Sequence, residues 1–387
     1  MEETIMKNKN ALAVSAVMLA ILMLTSLFWA YGKEEKPKQS ETTISTELKK
    51  ETLVAIDKGL QWLKTQQDEK GAFHQPIGMT GLAVAAFLRH PEGKYKESDD
   101  FLQKSIKYII SVQNPDGSIY DKNDQPALPN YNTSISLMAL SSTKNPKYAD
   151  VIKKAQNYIE GIQLDESEGI TPDNKFYGGI GYGSDPSTRD MSNLSFALQG
   201  LKESGLPEDS KVWDKALKFL ERCQNNSETN DQSSTALVGN DGGFVYYPGN
   251  SKAGNDEEGI PRSYASMTYA GLLSFIYANV DKEDPRVQAA IKWLKNHYTL
   301  DENYGMGLQG LYYNYHTMAK ALSVYGEPII TDTKGIKHNW YEELARKLIS
   351  LQKPEGYWVN EADRWMEADP VVVTAYAILA LEAGFPK

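Results

Sequence analysis

Ala345-Arg346-Lys347-Leu348-Ile349, then Leu351-Gln352-Lys353-Pro354-Glu355-Gly356-Tyr357-Trp358, then Ala375-Tyr376-Ala377-Ile378-Leu379-Ala380-Leu381: these three segments decide how the chain is read. The first places apolar residues at i, i+3 and i+4 and so predicts a helix with one buried stripe. The second carries Pro and Gly and predicts a turn. The third is apolar on more than one side, which suits a helix enclosed by neighbours.

The same grammar recurs six times. The first helices centre on Ala55-Ile56-Asp57-Lys58-Gly59-Leu60-Gln61-Trp62-Leu63, Ser105-Ile106-Lys107-Tyr108-Ile109-Ile110, Ala155-Gln156-Asn157-Tyr158-Ile159, Ala216-Leu217-Lys218-Phe219-Leu220, Ala290-Ile291-Lys292-Trp293-Leu294 and the Ala345 segment. The second helices begin near Thr80, Thr133, Leu194, Thr268, Thr317 and Thr374, at spacings of 53, 61, 74, 49 and 57 residues. An outer, one-faced helix followed by an inner, enclosed one, repeated six times, predicts an all-α fold of two concentric rings, an α6/α6 toroid. An open superhelix of helical pairs is the alternative. Six pairs suffice for closure, and neither end looks like a polar cap.

The links carry a family resemblance. Gln113-Asn114-Pro115-Asp116-Gly117-Ser118 and Leu351-Gln352-Lys353-Pro354-Glu355-Gly356-Tyr357-Trp358 resemble the Gln/Trp repeats of squalene cyclases and related prenyltransferases, and Gln66-Gln67-Asp68-Glu69-Lys70-Gly71-Ala72-Phe73 is a looser copy. Gly242-Gly243-Phe244 with Pro248-Gly249 is similar to a turn of protein prenyltransferase β subunits, and Tyr315-His316-Thr317 resembles their Tyr-His-Thr. The resemblance spans roughly Lys50 to Lys387 and implies the terpenoid cyclase and protein prenyltransferase superfamily, with an isoprenoid or other apolar small molecule as partner. Function nevertheless depends on the site and not on the fold.

The 387 residues hold 41 Lys and Arg against 51 Asp and Glu, a net charge of −10. So acidic a chain lacks the basic face that phosphates require, and no nucleic-acid partner is expected. The single cysteine, Cys223, excludes an intramolecular disulfide and a Cys-rich metal centre. Residues 1–32 read as a signal sequence or membrane anchor: Ala11 to Tyr31 is uncharged and follows Lys7 and Lys9. About 20 apolar residues cross a bilayer core of roughly 30 Å, so length favours an anchor. Ala30-Tyr31-Gly32 offers a signal peptidase small residues, with cleavage after Gly32 as the alternative. The preceding lysines keep the N-terminus cytoplasmic and export the body. Residues 33–50 read as a polar tether and 51–387 as the toroid, so the protein is expected outside the cytoplasm, membrane-anchored, or secreted if cleaved.

In such a toroid the inner helices run parallel, so their N-termini and the turns before them meet at one mouth. Asp190, Tyr315 and His316 are the candidate catalytic residues there; Tyr182, Ser192, Asn193, Arg262, Tyr264, Tyr269, Tyr313, Trp365 and Asp369 are the candidate ligand contacts. Asp190-Met191-Ser192-Asn193-Leu194-Ser195 lies where the cyclases carry Asp-x-Asp-Asp-Thr-Ala, and their proton-donating acid is matched by Ser192, whose hydroxyl is far too weak for that task. Asp190 reads as a helix cap, or as an acid if burial raises its pKa. His316 matches a zinc ligand of the prenyltransferases, but no Asp-x-Cys accompanies it, so no metal or other cofactor is expected. It reads as a buried histidine or one that orients a ligand. Glu361, Asp363, Glu367 and Asp369 read as a solvated acidic loop or as paired carboxylates of a carbohydrate-active enzyme. The insert from Asn225 to Pro261 is a lid, a calcium loop or an idle connection. A non-catalytic binding or scaffold protein is the remaining alternative.

Overall fold

An inner helix must bury every side, and the sequence supplies the small residues that allow it. The computed structural model describes residues 44–185, 189–234 and 236–386. Among them are twelve α-helices. The outer ones are α1 (Thr46–Thr65), α3 (Asp100–Ser111), α5 (Ala149–Gly161), α7 (Lys211–Cys223), α9 (Pro285–Asn296) and α11 (Trp340–Leu351). The inner ones are α2 (Ile77–Leu88), α4 (Pro129–Ser142), α6 (Met191–Glu203), α8 (Ala265–Tyr277), α10 (Leu311–Tyr325) and α12 (Pro370–Ala383). Each inner helix packs on the inner helices before and after it, and α12 packs back on α2, so the ring is closed. In α12 every residue from Val371 to Ala375 and from Ala377 to Leu381 is buried, whereas α7 buries the stripe of Val212, Trp213, Ala216, Phe219, Leu220 and Cys223. At Gly200 of α6 a β-carbon would stand 2.9 Å from the Ser134 carbonyl oxygen of α4, so the two inner helices approach backbone to backbone.

The inner helices begin three to six residues ahead of the residues that mark them in the sequence, five threonines and Leu194. Four of the threonines sit inside the helix with their hydroxyls on the preceding link, whereas Thr317 donates to the Tyr313 carbonyl of its own helix. Thr80, Thr133, Thr268 and Thr374 accept the backbone N–H of Phe73, Ile119, Phe244 and Trp358 at 2.9, 2.8, 3.1 and 3.0 Å. The glutamines hold the other side. Gln113 donates to the carbonyls of Gly117 in its own link and Val151 of the next outer helix. Gln163 does the same to Gly178 and Val212, and Gln224 to Gly242 and Arg286. Gln352 donates to Gly356 and, across the closure, to Ala55 of α1 at 2.9 Å. Gln67 reaches Phe101 directly and Gly71 through the hydroxyl of Ser105. The link between α9 and α10 departs from this pattern: there Asn303 binds the backbone N–H and hydroxyl of Ser266.

Two local findings differ from the sequence reading. Thr46 to Lys50, read as tether, form the start of α1, with Ser45 as N-cap accepting the Leu48 N–H at 3.1 Å. The all-α reading omitted a small antiparallel ribbon of β1 (Ile329–Thr331) and β2 (Lys337–Asn339), in which Ile330 pairs with His338. Its turn is held by Asp332, whose carboxylate accepts the N–H groups of Lys334 and Ile336. The signal or anchor segment, residues 1–32, lies outside the described residues. Among the described residues no helix is long and apolar enough to cross a membrane.

Closure at Gln352 is testable by urea unfolding. Gln352→Ala leaves two carbonyls short of a donor and is expected to cost roughly 1–3 kcal/mol, against no measurable loss for exposed Gln61→Ala. Gly356→Ala is expected to cost more than that, since Gly356 has φ +106° and a β-carbon there would stand 2.5 Å from the Lys58 carbonyl oxygen. Equal stability of Gln352→Ala and Gln61→Ala would contradict the clamp.

Candidate functional site

The first two turns of all six inner helices, with the turns before them, enclose one axial cavity of about 320 Å³. Its wall takes Met79 and Leu82 from α2, Ile135 from α4, Phe196 from α6, Met267 from α8, Tyr313 from α10 and Val372 from α12. Tyr182, Tyr246, Trp365 and Met366 stand at its edge, contributed by the links. Phe196 and Tyr313 stack at 5.9 Å between ring centres. Both also line a void of only about 10 Å³ with His316. His316 is buried, stacks on Tyr376 at 5.4 Å, and is held neutral, its pKa pushed down to about 3 by burial and by the positive charge of Lys320. Beyond it, near the C-terminal ends of the inner helices, Glu203 pairs with Arg89 at 2.5 Å and Lys320 at 2.7 Å. Burial works to raise the Glu203 pKa, and these two cations overcome it, holding the carboxyl down to about 2.

Hydroxyl groups mark one side of the cavity. Tyr131 donates to Ser192 at 2.7 Å, Ser192 donates to Tyr313 at 3.4 Å, and the hydroxyls of Tyr182 and Tyr246 lie 3.1 Å apart. Asp190 stands just behind this wall as the N-cap of α6, accepting the backbone and side-chain N–H groups of Asn193 at 2.9 and 2.8 Å and a hydrogen bond from Tyr246. Burial raises its pKa to about 6. Among the described residues no carboxyl group lines the axial cavity.

The lip over the mouth is set by Glu367. Its carboxylate accepts the Tyr313 and Tyr312 N–H groups at 2.7 and 3.2 Å, which caps α10, and the Asn360 amide. Burial raises its pKa to about 7. Trp365 and Met366 take positive φ angles of 59° and 68° on the way to this anchor, which lays the Trp365 ring against Gly310.

The structure therefore brings Tyr182, Ser192, Tyr264, Tyr313 and Trp365 to one cavity. Asn193 is buried behind them, bonded to Asp190 and Asn130. The other expected contacts lie elsewhere. Tyr315 spends its hydroxyl on the Leu300 carbonyl in the α9–α10 link. Tyr269 is packed in the core of α8 and does not line the cavity. Asp369 caps α12 through the Val371 N–H and pairs with His74 at 2.9 Å. Arg262 opens on a separate pocket that it shares with Trp293 of α9 and with His297, Glu302, Tyr304 and Gly305 of the α9–α10 link. Sequence reading missed Tyr131, Phe196, Met79 and Met267 as site residues, because these apolar or aromatic helix positions look like ordinary core. Among the described residues no three His, Cys, Asp or Glu side chains are grouped to hold a metal ion.

A family model described as the squalene-hopene cyclase C-terminal domain matches residues 79–247. Among solved structures, the chain is similar to type II terpene cyclase MstE from Scytonema. A variant of that enzyme in complex with the product merosterolic acid A superposes with a TM-score of 0.54 at 12% identity, over 88% of this chain and 99% of that one. A variant in complex with the substrate geranylgeranyl dihydroxybenzoate gives 0.52 at 12% identity, over 88% and 99%. An inactive variant of the α-1,6-mannanase GH76A of Salegentibacter sp. HEL1_6, in complex with α-1,6-mannotriose, gives 0.56 at 12% identity, over 86% and 98%. At such identities the likeness is one of fold. The chain has an α/α-toroid fold, the fold of these neighbours.

Folding holds the Asp190 and Glu367 protons more tightly than the unfolded chain does. The stability this gives is full below about pH 4 and is lost as pH rises through about 6 and 7, by roughly 3 kcal/mol for each group. Melting temperature is expected to fall over that range, and Glu367→Gln is expected to flatten the fall. A Glu367→Gln profile parallel to the wild-type one would assign the titration elsewhere.

Proposed function

We propose that this protein is an exported toroid, tethered by its N-terminal segment, that binds an isoprenoid or similarly apolar small molecule in the axial cavity without supplying the acid that starts terpene cyclisation. The observation that carries the reading is the wall itself: apolar or aromatic side chains from all six inner helices, edged by aromatic rings. A volume of about 320 Å³ lies at the lower end of the roughly 300–1,000 Å³ typical of small-molecule sites. Apolar surface placed there gains about 25 cal/mol per Å² removed from water. The hydroxyls of Ser192 and Tyr313 offer a hydrogen bond to a polar end of the ligand, which sets its direction. The isoprenoid substrate and product held by the similar terpene cyclase support the same class of ligand.

Protonating a carbon–carbon double bond needs a strong acid in contact with it. Asp190 is bonded to Tyr246 and does not line the cavity, and Ser192, which by sequence resemblance stands where the cyclases carry their acid, offers only a hydroxyl. A glycosidase needs two carboxyl groups facing each other across the substrate at roughly 5 to 9.5 Å, and the described wall carries none.

Geranylgeraniol titrated into the full-length protein in detergent, followed by tryptophan fluorescence, is expected to saturate. Leu82→Trp and Met267→Trp, which fill the cavity, are expected to weaken binding at least about tenfold with melting temperatures unchanged. Ser192→Ala is expected to cost about two- to tenfold. Undiminished binding by both filled variants would remove the cavity as the site, and a cyclised product detected by gas chromatography would overturn the non-cyclising part of the reading.

A further inference from the structure

A second cavity, of about 630 Å³, lies between the 225–263 segment and the α9–α10 link, apart from the axial one. One wall is an aromatic ladder: Trp293 to His297 at 4.2 Å between ring centres and His297 to Tyr304 at 4.4 Å, with Tyr304 37% exposed. The facing polar groups are of two kinds. Asp241 is a fixed acceptor, its carboxylate held by the Gly243 N–H at 2.9 Å, the Ser263 hydroxyl at 2.8 Å and the Trp293 indole N–H at 3.1 Å. Arg262 is the one arginine among the described residues whose guanidinium makes no hydrogen bond or ion pair with another side chain or carbonyl. Glu302 lines the same cavity and also has no side-chain partner. His297 Nδ1 lies 2.8 Å from the Trp293 carbonyl oxygen and donates to it, which fixes the ring against the indole.

We infer that this cavity is a binding site for a neutral carbohydrate, with a sugar ring stacked on Tyr304 and His297 and its hydroxyls shared between Arg262, Asp241 and Glu302. A ring that is apolar on its C–H face and hydroxylated at its edge matches an aromatic wall beside converging donors and acceptors. Charge selects among polar ligands. Asp241, Asp256 and Glu302 outnumber Arg262, so a phosphate or carboxylate is repelled by more groups than attract it. A hydroxyl serves both kinds of partner, donating to the carboxylates and accepting from the guanidinium. The site is independent of the axial cavity, so a sugar here and an apolar ligand there bind without competing.

The test uses the full-length protein in detergent and saturation-transfer NMR with four neutral probes (α-1,6-mannotriose, cellotriose, maltotriose and chitotriose), beside glucuronate and inorganic phosphate. At least one neutral probe is expected to bind. Arg262→Ala and Tyr304→Ala are each expected to weaken it at least about fivefold, with geranylgeraniol affinity and melting temperature unchanged. Asp241→Asn, which alters the acceptor and keeps its size, is expected to act in the same direction. Silence from all four neutral probes would overturn the inference. So would phosphate or glucuronate binding that depends on Arg262, and so would a sugar whose affinity ignores both alanine variants.

Discussion

A primary amide bonded to two carbonyls is the interaction on which the rest of this molecule depends. Gln113, Gln163, Gln224 and Gln352 each tie the glycine of their own link to the outer helix of the next repeat. The amide must approach closely, so the glycine lies against the neighbouring helix backbone. At Gly117 a β-carbon would come within 2.2 Å of the Lys154 carbonyl oxygen. A hydrogen bond of this kind contributes only about 1 kcal/mol net. Its larger effect is geometric: where a threonine hydroxyl also holds the same link to its inner helix, as Thr133, Thr268 and Thr374 do, the repeat is fastened to the next at both radii. Gln352 repeats the bond onto Ala55 and joins the end of the ring to its start.

Closure gathers the N-termini of the inner helices at one end, and this decides what the nearby carboxylates do. Unpaired N–H groups and the positive ends of the helix dipoles attract them. Asp190 caps α6, Glu367 caps α10 and Asp369 caps α12. A carboxylate that satisfies backbone donors points at its own helix and is withdrawn from the cavity. The cavity is left to apolar side chains, aromatic faces and hydroxyls, which is why binding of an apolar ligand fits this wall better than proton donation. At the other end of the inner helices the balance differs, for there Glu203 meets two cations in place of helix N-termini.

The rings, their order and the residues that mark each repeat were legible in the sequence, because helix periodicity and a turn that demands glycine are local properties repeated six times. The site was legible only in part. Tyr182, Ser192, Tyr264, Tyr313 and Trp365 were found because they stand in or beside the turns before inner helices. Tyr315 was not distinguishable from Tyr313 by type or neighbourhood. Two residues further along a helix turn a side chain by roughly 200°, and that rotation carries Tyr315 out of the cavity to the Leu300 carbonyl.

Sequence by itself thus determined the elements, since each depends on residues a few positions apart. Tertiary structure alone decided which side chains share a cavity. Glu367, one of four carboxylates in a stretch that reads as solvated, became a buried cap because the ring places the α10 N-terminus beneath it. Arg262, three residues before α8, left the mouth because the segment preceding it folds against the α9–α10 link. Both outcomes follow from contacts between segments some tens of residues apart, and a local pattern holds no record of them.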